Sequence, residues 1–319
     1  MKSLLLFLAC MLSISLFAQE RIDGSFPFQS DPAKKFSIYL PSGYEAFTPN
    51  AMMLGFHPFN TNRWDAEAWC DTLIDFAEFN QLILVCPDGG LDGAVDDPID
   101  TAFTSALLDS MVLWYNIDPN KMYAMGFSVG GKVTYSYGLS NTDRLRGFIP
   151  IGAAINGTDG VNEVLQFAQG RPFYLVHGEL DSPASRFFPM HASLTGYSAF
   201  VEDTLMPGIG HTIDFPDRNA ILSRAYQWVD SVNTANPPSG VFDINVEPIK
   251  VYPNPATTEI YFNLPSEAEF QVYVFNTRGD MVIQLKNQKT LLLDKLPAGN
   301  YFIKVRQENK QYGQTFTRL

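Results

Sequence analysis

From Phe36 to about Val232 the chain alternates short apolar runs with longer helical segments, and that alternation limits the fold more than any other feature. The runs are Phe36–Leu40, Met52–Phe56, Leu82–Cys86, Met122–Gly126, Gly147–Ile151, Pro172–Val176 and Ala199–Leu205. Several are apolar without interruption, as strands covered on both faces must be. Helical patterns lie between them at Ala66–Phe79, Ala102–Tyr115, Gly131–Gly138 and Asn219–Ser231. Strand and helix in alternation predict a mostly parallel sheet flanked by helices. With 46% apolar residues the chain can bury a core of that size.

The pattern changes after Val232. Residues 233–245 begin Asn-Thr-Ala-Asn-Pro-Pro-Ser-Gly, a composition that resists helix and reads as a linker. Residues 246–319 show short strands at Ile260–Leu264, Phe270–Phe275, Met281–Leu285, Thr290–Leu293 and Tyr301–Gln307, with turn signals at Thr277–Asp280 and Pro297–Asn300. This predicts a small β-sandwich. It contains no histidine, which makes it a poor seat for catalysis.

Residues 1–18 read as a secretory signal, with Lys2 at the charged end, an apolar stretch Leu4–Phe17, and Ala18 before a cleavage point at Gln19. The run is short for a membrane anchor. Residues 19–232 then form the first mature domain. Cys10 leaves with the signal, and Cys70 and Cys86 stay, either as a disulfide or as two buried thiols. A net charge of -12 repels phosphate backbones and anionic lipid, which argues against nucleic-acid or membrane-surface partners.

Gly126-Phe127-Ser128-Val129-Gly130 fits G-x-S-x-G between a strand and a helix. A serine on so tight a turn is lifted into a cleft, and the Val129 N–H at the helix start faces a developing oxyanion. Serine needs a base. Among four histidines, His211 sits in the glycine-rich loop Pro207–His211 after the last strand of the first domain. The orienting acid should precede that histidine in the chain, which favours Asp181 over Glu179, Asp203 and Asp214. His177 then reads as a structural turn residue. A second oxyanion donor is expected after Met52–Phe56, in His57-Pro58-Phe59-Asn60. Pro58 has no N–H, so the Phe59 N–H is the candidate, with the Asn60 side chain behind it. Trp64, Trp69 and Phe187-Phe188 are read either as core or as lining for an apolar acyl group.

These residues resemble the polyhydroxybutyrate-depolymerase and feruloyl/acetylxylan-esterase branch of the α/β-hydrolases. The resemblance runs from Phe36 to Val232 through Cys86-Pro87-Asp88-Gly89, Tyr115–Pro119, Gly126–Gly131, His177–Asp181 and the His211 loop. It implies an α/β-hydrolase fold, a Ser128–Asp181–His211 triad and ester hydrolysis through an acyl-enzyme, with no metal or organic cofactor. The implied substrate is an extracellular polymer, either acylated polysaccharide or polyester. At His57-Pro58 the family usually has His-Gly. A serine peptidase or a non-catalytic binding protein on this scaffold is the alternative. The C-terminal residues resemble the sorting domain of the type IX secretion system, through Val251–Ala256, Asn276–Gly279, Leu296–Tyr301 and the basic end near Arg318. This implies the secretion machinery as a partner, export through the periplasm, and a secreted or cell-surface enzyme.

Overall fold

A computed structural model of the chain describes residues 20–46, 48–59, 64–90, 93–237, 246–265, 268–276, 281–307 and 310–319. The signal reading, Asn60, the Thr277–Asp280 turn and most of the linker lie outside these residues.

The first part is built on an eight-stranded sheet. Its strands are β1 (Glu20–Phe28), β2 (Asp31–Leu40), β3 (Asn50–Phe56), β4 (Ile83–Pro87), β5 (Ile117–Phe127), β6 (Gly147–Ile151), β7 (Pro172–Gly178) and β8 (Phe200–Met206), in the order β1-β2-β4-β3-β5-β6-β7-β8. The β1–β2 and β2–β4 pairs are antiparallel and the rest are parallel. Alternate residues of one strand feed opposite faces, as a period of two requires. In β5, Met122 and Ala124 join one core while Tyr123, Met125 and Phe127 join the other. Helices α2 (Pro98–Trp114), α3 (Val129–Ser140) and α4 (Phe187–Gly196) pack on the first face, and α1 (Ala66–Phe79) and α5 (Arg218–Ala235) on the second.

Three differences from the sequence reading have plain causes. Helix α2 begins at Pro98, because Asp97 caps it by accepting from the Asp100 N–H at 2.8 Å and a proline costs nothing in the first turn. Helix α4 was not expected. Its N-cap residue Arg186 makes no side-chain cap bond, and Pro189 reads as a breaker although it sits in the first turn. Helix α5 runs through Ala235 into the expected linker, held where the Asn233 amide donates to the Asn120 carbonyl at 2.8 Å.

Cys70 and Cys86 are free thiols, both fully buried between α1 and β4. Burial, followed by the neighbouring Cys70 thiol, pushes the Cys86 thiol well above its ordinary range. Trp64 and Trp69 stack edge to face inside the second core, 5.7 Å apart, so they are core rather than lining.

The C-terminal part is a sandwich of two sheets. One contains β10 (Val251–Tyr252), β11 (Glu259–Phe262) and β14 (Thr290–Leu292). The other contains β9 (Val246–Pro248), β12 (Phe270–Asn276), β13 (Met281–Lys286), β15 (Gly299–Gln307) and β16 (Lys310–Arg318). Ile260, Phe262 and Leu291 of the first sheet meet Val272, Val274, Ile303, Val305 and Phe316 of the second in a core of their own. Among the described residues, a buried polar contact ties this part to the first. Lys304 of β15 donates from Nζ to the Val112 carbonyl in the last turn of α2, and burial pulls its ammonium down to about 8. A cation suits that position, because the last carbonyls of a helix lack intrahelical partners.

Candidate active site

Strand β5 runs into α3 through Ser128, whose backbone sits at φ 59° and ψ -116°. Non-glycine residues rarely occupy that region, and the surroundings hold Ser128 there. Its N–H donates to the Ile151 carbonyl at 3.0 Å, and its carbonyl accepts from Ala154 at 2.8 Å. The turn is tight enough to forbid side chains on either side. A Cβ on Gly126 would meet the Gly130 carbonyl oxygen at 2.3 Å, and one on Gly130 would meet the Phe56 carbonyl oxygen at 2.1 Å. That second contact places the start of α3 directly against the end of β3.

The loop after β8 brings His211 to this turn. His211 Nε2 lies 2.8 Å from Ser128 Oγ, and its Nδ1 lies 2.7 Å from Asp181 Oδ2. A carboxylate only accepts, so Nδ1 carries the hydrogen and Nε2 presents its lone pair to the serine hydroxyl. The Phe127 ring stacks on the imidazole with centroids 4.9 Å apart. Asp181 follows β7 and its side chain is 5% exposed.

The competing acids have other partners. Glu179 accepts from the Gly208 N–H at 3.0 Å and so holds the His211 loop. Asp203 faces His191 at 3.4 Å, and Asp214 faces Arg218 at 3.6 Å. His177 donates from Nε2 to the Asp181 carbonyl at 2.9 Å, the structural part expected of it.

The loop after β3 carries a clamp that sequence reasoning did not assign. His57 is fully buried and accepts the Gly89 N–H on Nε2 at 2.9 Å. Its other nitrogen donates to the Pro58 carbonyl at 3.0 Å. The ring thus joins the His57–Phe59 loop to the Cys86–Gly89 turn, and of Pro58 the contact uses only the carbonyl. The Phe59 side chain is 57% exposed. At the start of α3 the Val129 N–H is one of the helix's unpaired donors. Arg186, also unassigned from sequence, donates from Nη1 to Asp181 Oδ1 at 2.7 Å.

Desolvation lowers the pKa of both His57 and His177 below the ordinary 6.5. The unfolded chain therefore binds protons at these positions below pH 6.5 while the folded chain resists them. Their contribution to stability is complete above that pH and is lost as pH falls toward the lower folded values, at up to about 1.4 kcal/mol per group per pH unit. The thermal midpoint should fall from pH 7.5 to 5.5, and His57→Asn, which takes up no proton, should show a shallower fall. A wild-type midpoint that stays level over that range would contradict this account.

The chain is similar to known proteins in sequence and in fold. Over 148 residues, 45% of this chain, it is 28% identical to a bifunctional acetylxylan esterase/xylanase of Neocallimastix patriciarum, covering 21% of that protein. It is 22% identical to feruloyl esterase C of Emericella nidulans over 178 residues, 53% of this chain and 62% of the relative. The chain thus spans less than two thirds of the length of these curated relatives. Among solved structures, fluorophosphonate-binding serine hydrolase F of Staphylococcus aureus superposes with a TM-score of 0.56 at 12% identity, over 66% of this chain and 98% of that one. A fungal esterase of Rhizomucor miehei gives a TM-score of 0.57 at 12% identity, over 70% and 86%. The first part of the chain has the α/β-hydrolase fold. Residues 250–317 match the secretion system C-terminal sorting domain. The hydrolase fold and the sorting domain thus account for the two sets of sheets. No described helix is long and apolar enough to cross a membrane.

Proposed function

We propose that the protein is a secreted carboxylic ester hydrolase with Ser128 as nucleophile, His211 as base and Asp181 as orienting acid. One observation carries this reading: a single imidazole bridges Ser128 Oγ and a buried carboxylate at 2.8 and 2.7 Å, on a strained strand-to-helix turn. In the proposed reaction His211 takes the serine proton as Oγ adds to the ester carbonyl. The Val129 N–H and the Phe59 N–H receive the oxyanion. Collapse of the intermediate breaks the ester C–O bond, and the alcohol leaves with the proton from His211. A water activated by the same imidazole then releases the acid and restores Ser128.

The substrate we favour is an ester on an extracellular polymer, acylated polysaccharide or polyester. Its support is the similarity to acetylxylan and feruloyl esterases together with a sorting domain. Exposed apolar side chains at Phe59 (57%), Leu180 (69%) and Phe188 (52%) belong to the segments flanking the proposed oxyanion and acid positions, where an apolar acyl group would lie. A panel of p-nitrophenyl acetate, methyl ferulate, acetylated xylan and hydroxybutyrate oligomers tests the proposal. Turnover of the simple ester and of at least one polymer is expected. A folded protein that hydrolyses none of them would reject the enzyme reading in favour of a binding protein.

A further inference from the structure

We infer that Arg186 is a positioning residue for the hydrolytic reaction, fixing the carboxylate that orients His211; this rests on the triad reading above. Asp181 is nearly sealed from water, with a side chain 5% exposed. Its Oδ2 is committed to His211 Nδ1 at 2.7 Å, and its Oδ1 receives Arg186 Nη1 at the same distance. Without a donor on Oδ1 the carboxyl group would keep an unpartnered buried oxygen and a torsion free to swing Oδ2 away from the imidazole. The other neighbour cannot replace the arginine, because His177 Nε2 lies 3.7 Å from Oδ2 and spends its hydrogen on the Asp181 main-chain carbonyl.

Arg186 stands at the N-cap position of α4, where a guanidinium, having only donors, cannot cap the helix. Its Nη1 goes to Asp181 Oδ1. Nη1 also lies 3.3 Å from His211 Nδ1. With Nδ1 protonated toward Asp181, that approach sets two donors side by side and is no hydrogen bond. The arginine thus acts on the base through the carboxylate. Its charge pairs a buried anion, and its single Nη1 bond to Oδ1 leaves Oδ2 to face the imidazole.

The test is steady-state kinetics on p-nitrophenyl acetate with the full chain. Arg186→Ala should lower kcat by about 10- to 100-fold, the range for a misplaced catalytic group, with KM held within about twofold, since substrate binding is untouched. Arg186→Lys should recover most of the loss. Guanidinium at non-denaturing concentration should restore part of kcat to Arg186→Ala, whereas urea, of similar shape and no charge, should not. An Arg186→Ala enzyme with wild-type kcat overturns the proposal, as does a loss that neither lysine nor guanidinium relieves, which would make the arginine merely architectural. Ser128→Ala measured alongside separates the two readings: if it stays active, the triad assignment has failed and not only the role of Arg186.

Discussion

Ser128→Ala and His211→Ala should each remove nearly all ester hydrolysis, on the order of a 10⁶-fold fall in kcat, as for interdependent members of a triad. The reason is geometric. The serine hydroxyl is 2.8 Å from the only imidazole nitrogen that reaches it among the described residues, so either change leaves no activated nucleophile. Asp181→Asn should be milder, at about 10⁴-fold, because an amide keeps the volume but can hold the imidazole in the wrong tautomer. A fluorophosphonate should label the wild type and leave Ser128→Ala unmarked. Wild-type turnover in Ser128→Ala would remove the nucleophile assignment at once. The double variant Ser128→Ala/His211→Ala should be no worse than either single change, since the two act as one unit.

The second large effect concerns export. A chain ending at Asn236 should hydrolyse simple esters with kcat within about twofold of the full protein, the range of changes at a surface. It should accumulate in the periplasm of the native host instead of leaving it. Two features argue for this separation. The residues of the proposed triad lie on the hydrolase fold, whose cores contain no residue of the C-terminal part. The sandwich has its own core and matches a sorting domain. The buried contact of Lys304 on the Val112 carbonyl is lost in the shortened chain, and water can take its place on that carbonyl. Full secretion of the shortened chain would defeat the sorting role. Loss of purified activity with unchanged circular dichroism would show instead that the sandwich supports the site.

The central strands were legible because residues such as Met52–Phe56 and Pro172–Val176 are apolar on both faces and have no alternative use. The strand-to-helix turn at Ser128 was legible because close backbone approach demands glycine at 126 and 130 and leaves a spelled motif. Strand β1 was not, since it lies at the sheet edge and only alternate residues are part-buried, with Gly24 and Ser25 in its middle. Strand β16 hid for a similar reason, as Tyr312 and Phe316 are its only large apolar side chains and the rest is polar. Arg186 left no sequence signal, because its partner is chosen by how the loop after β7 folds back on α4. In sequence His57 stands in an expected oxyanion loop, and its role as a clamp needs Gly89, brought beside it by the β3–β4 pairing.

The Lys304–Val112 tie also sets a direction. Val112 lies in the last turn of the helix that leads into β5, and Ser128 leaves the other end of that strand, which is irregular between Ile117 and Met122 and spans roughly 25 Å. The sorting domain therefore meets the hydrolase fold at the end of β5 opposite Ser128. Whatever takes hold of that domain stands one sheet-length away from the Ser128 turn, so it need not compete with a molecule approaching the proposed site. Hydrolysis of a small ester should then be indifferent to whether the tail is free or held.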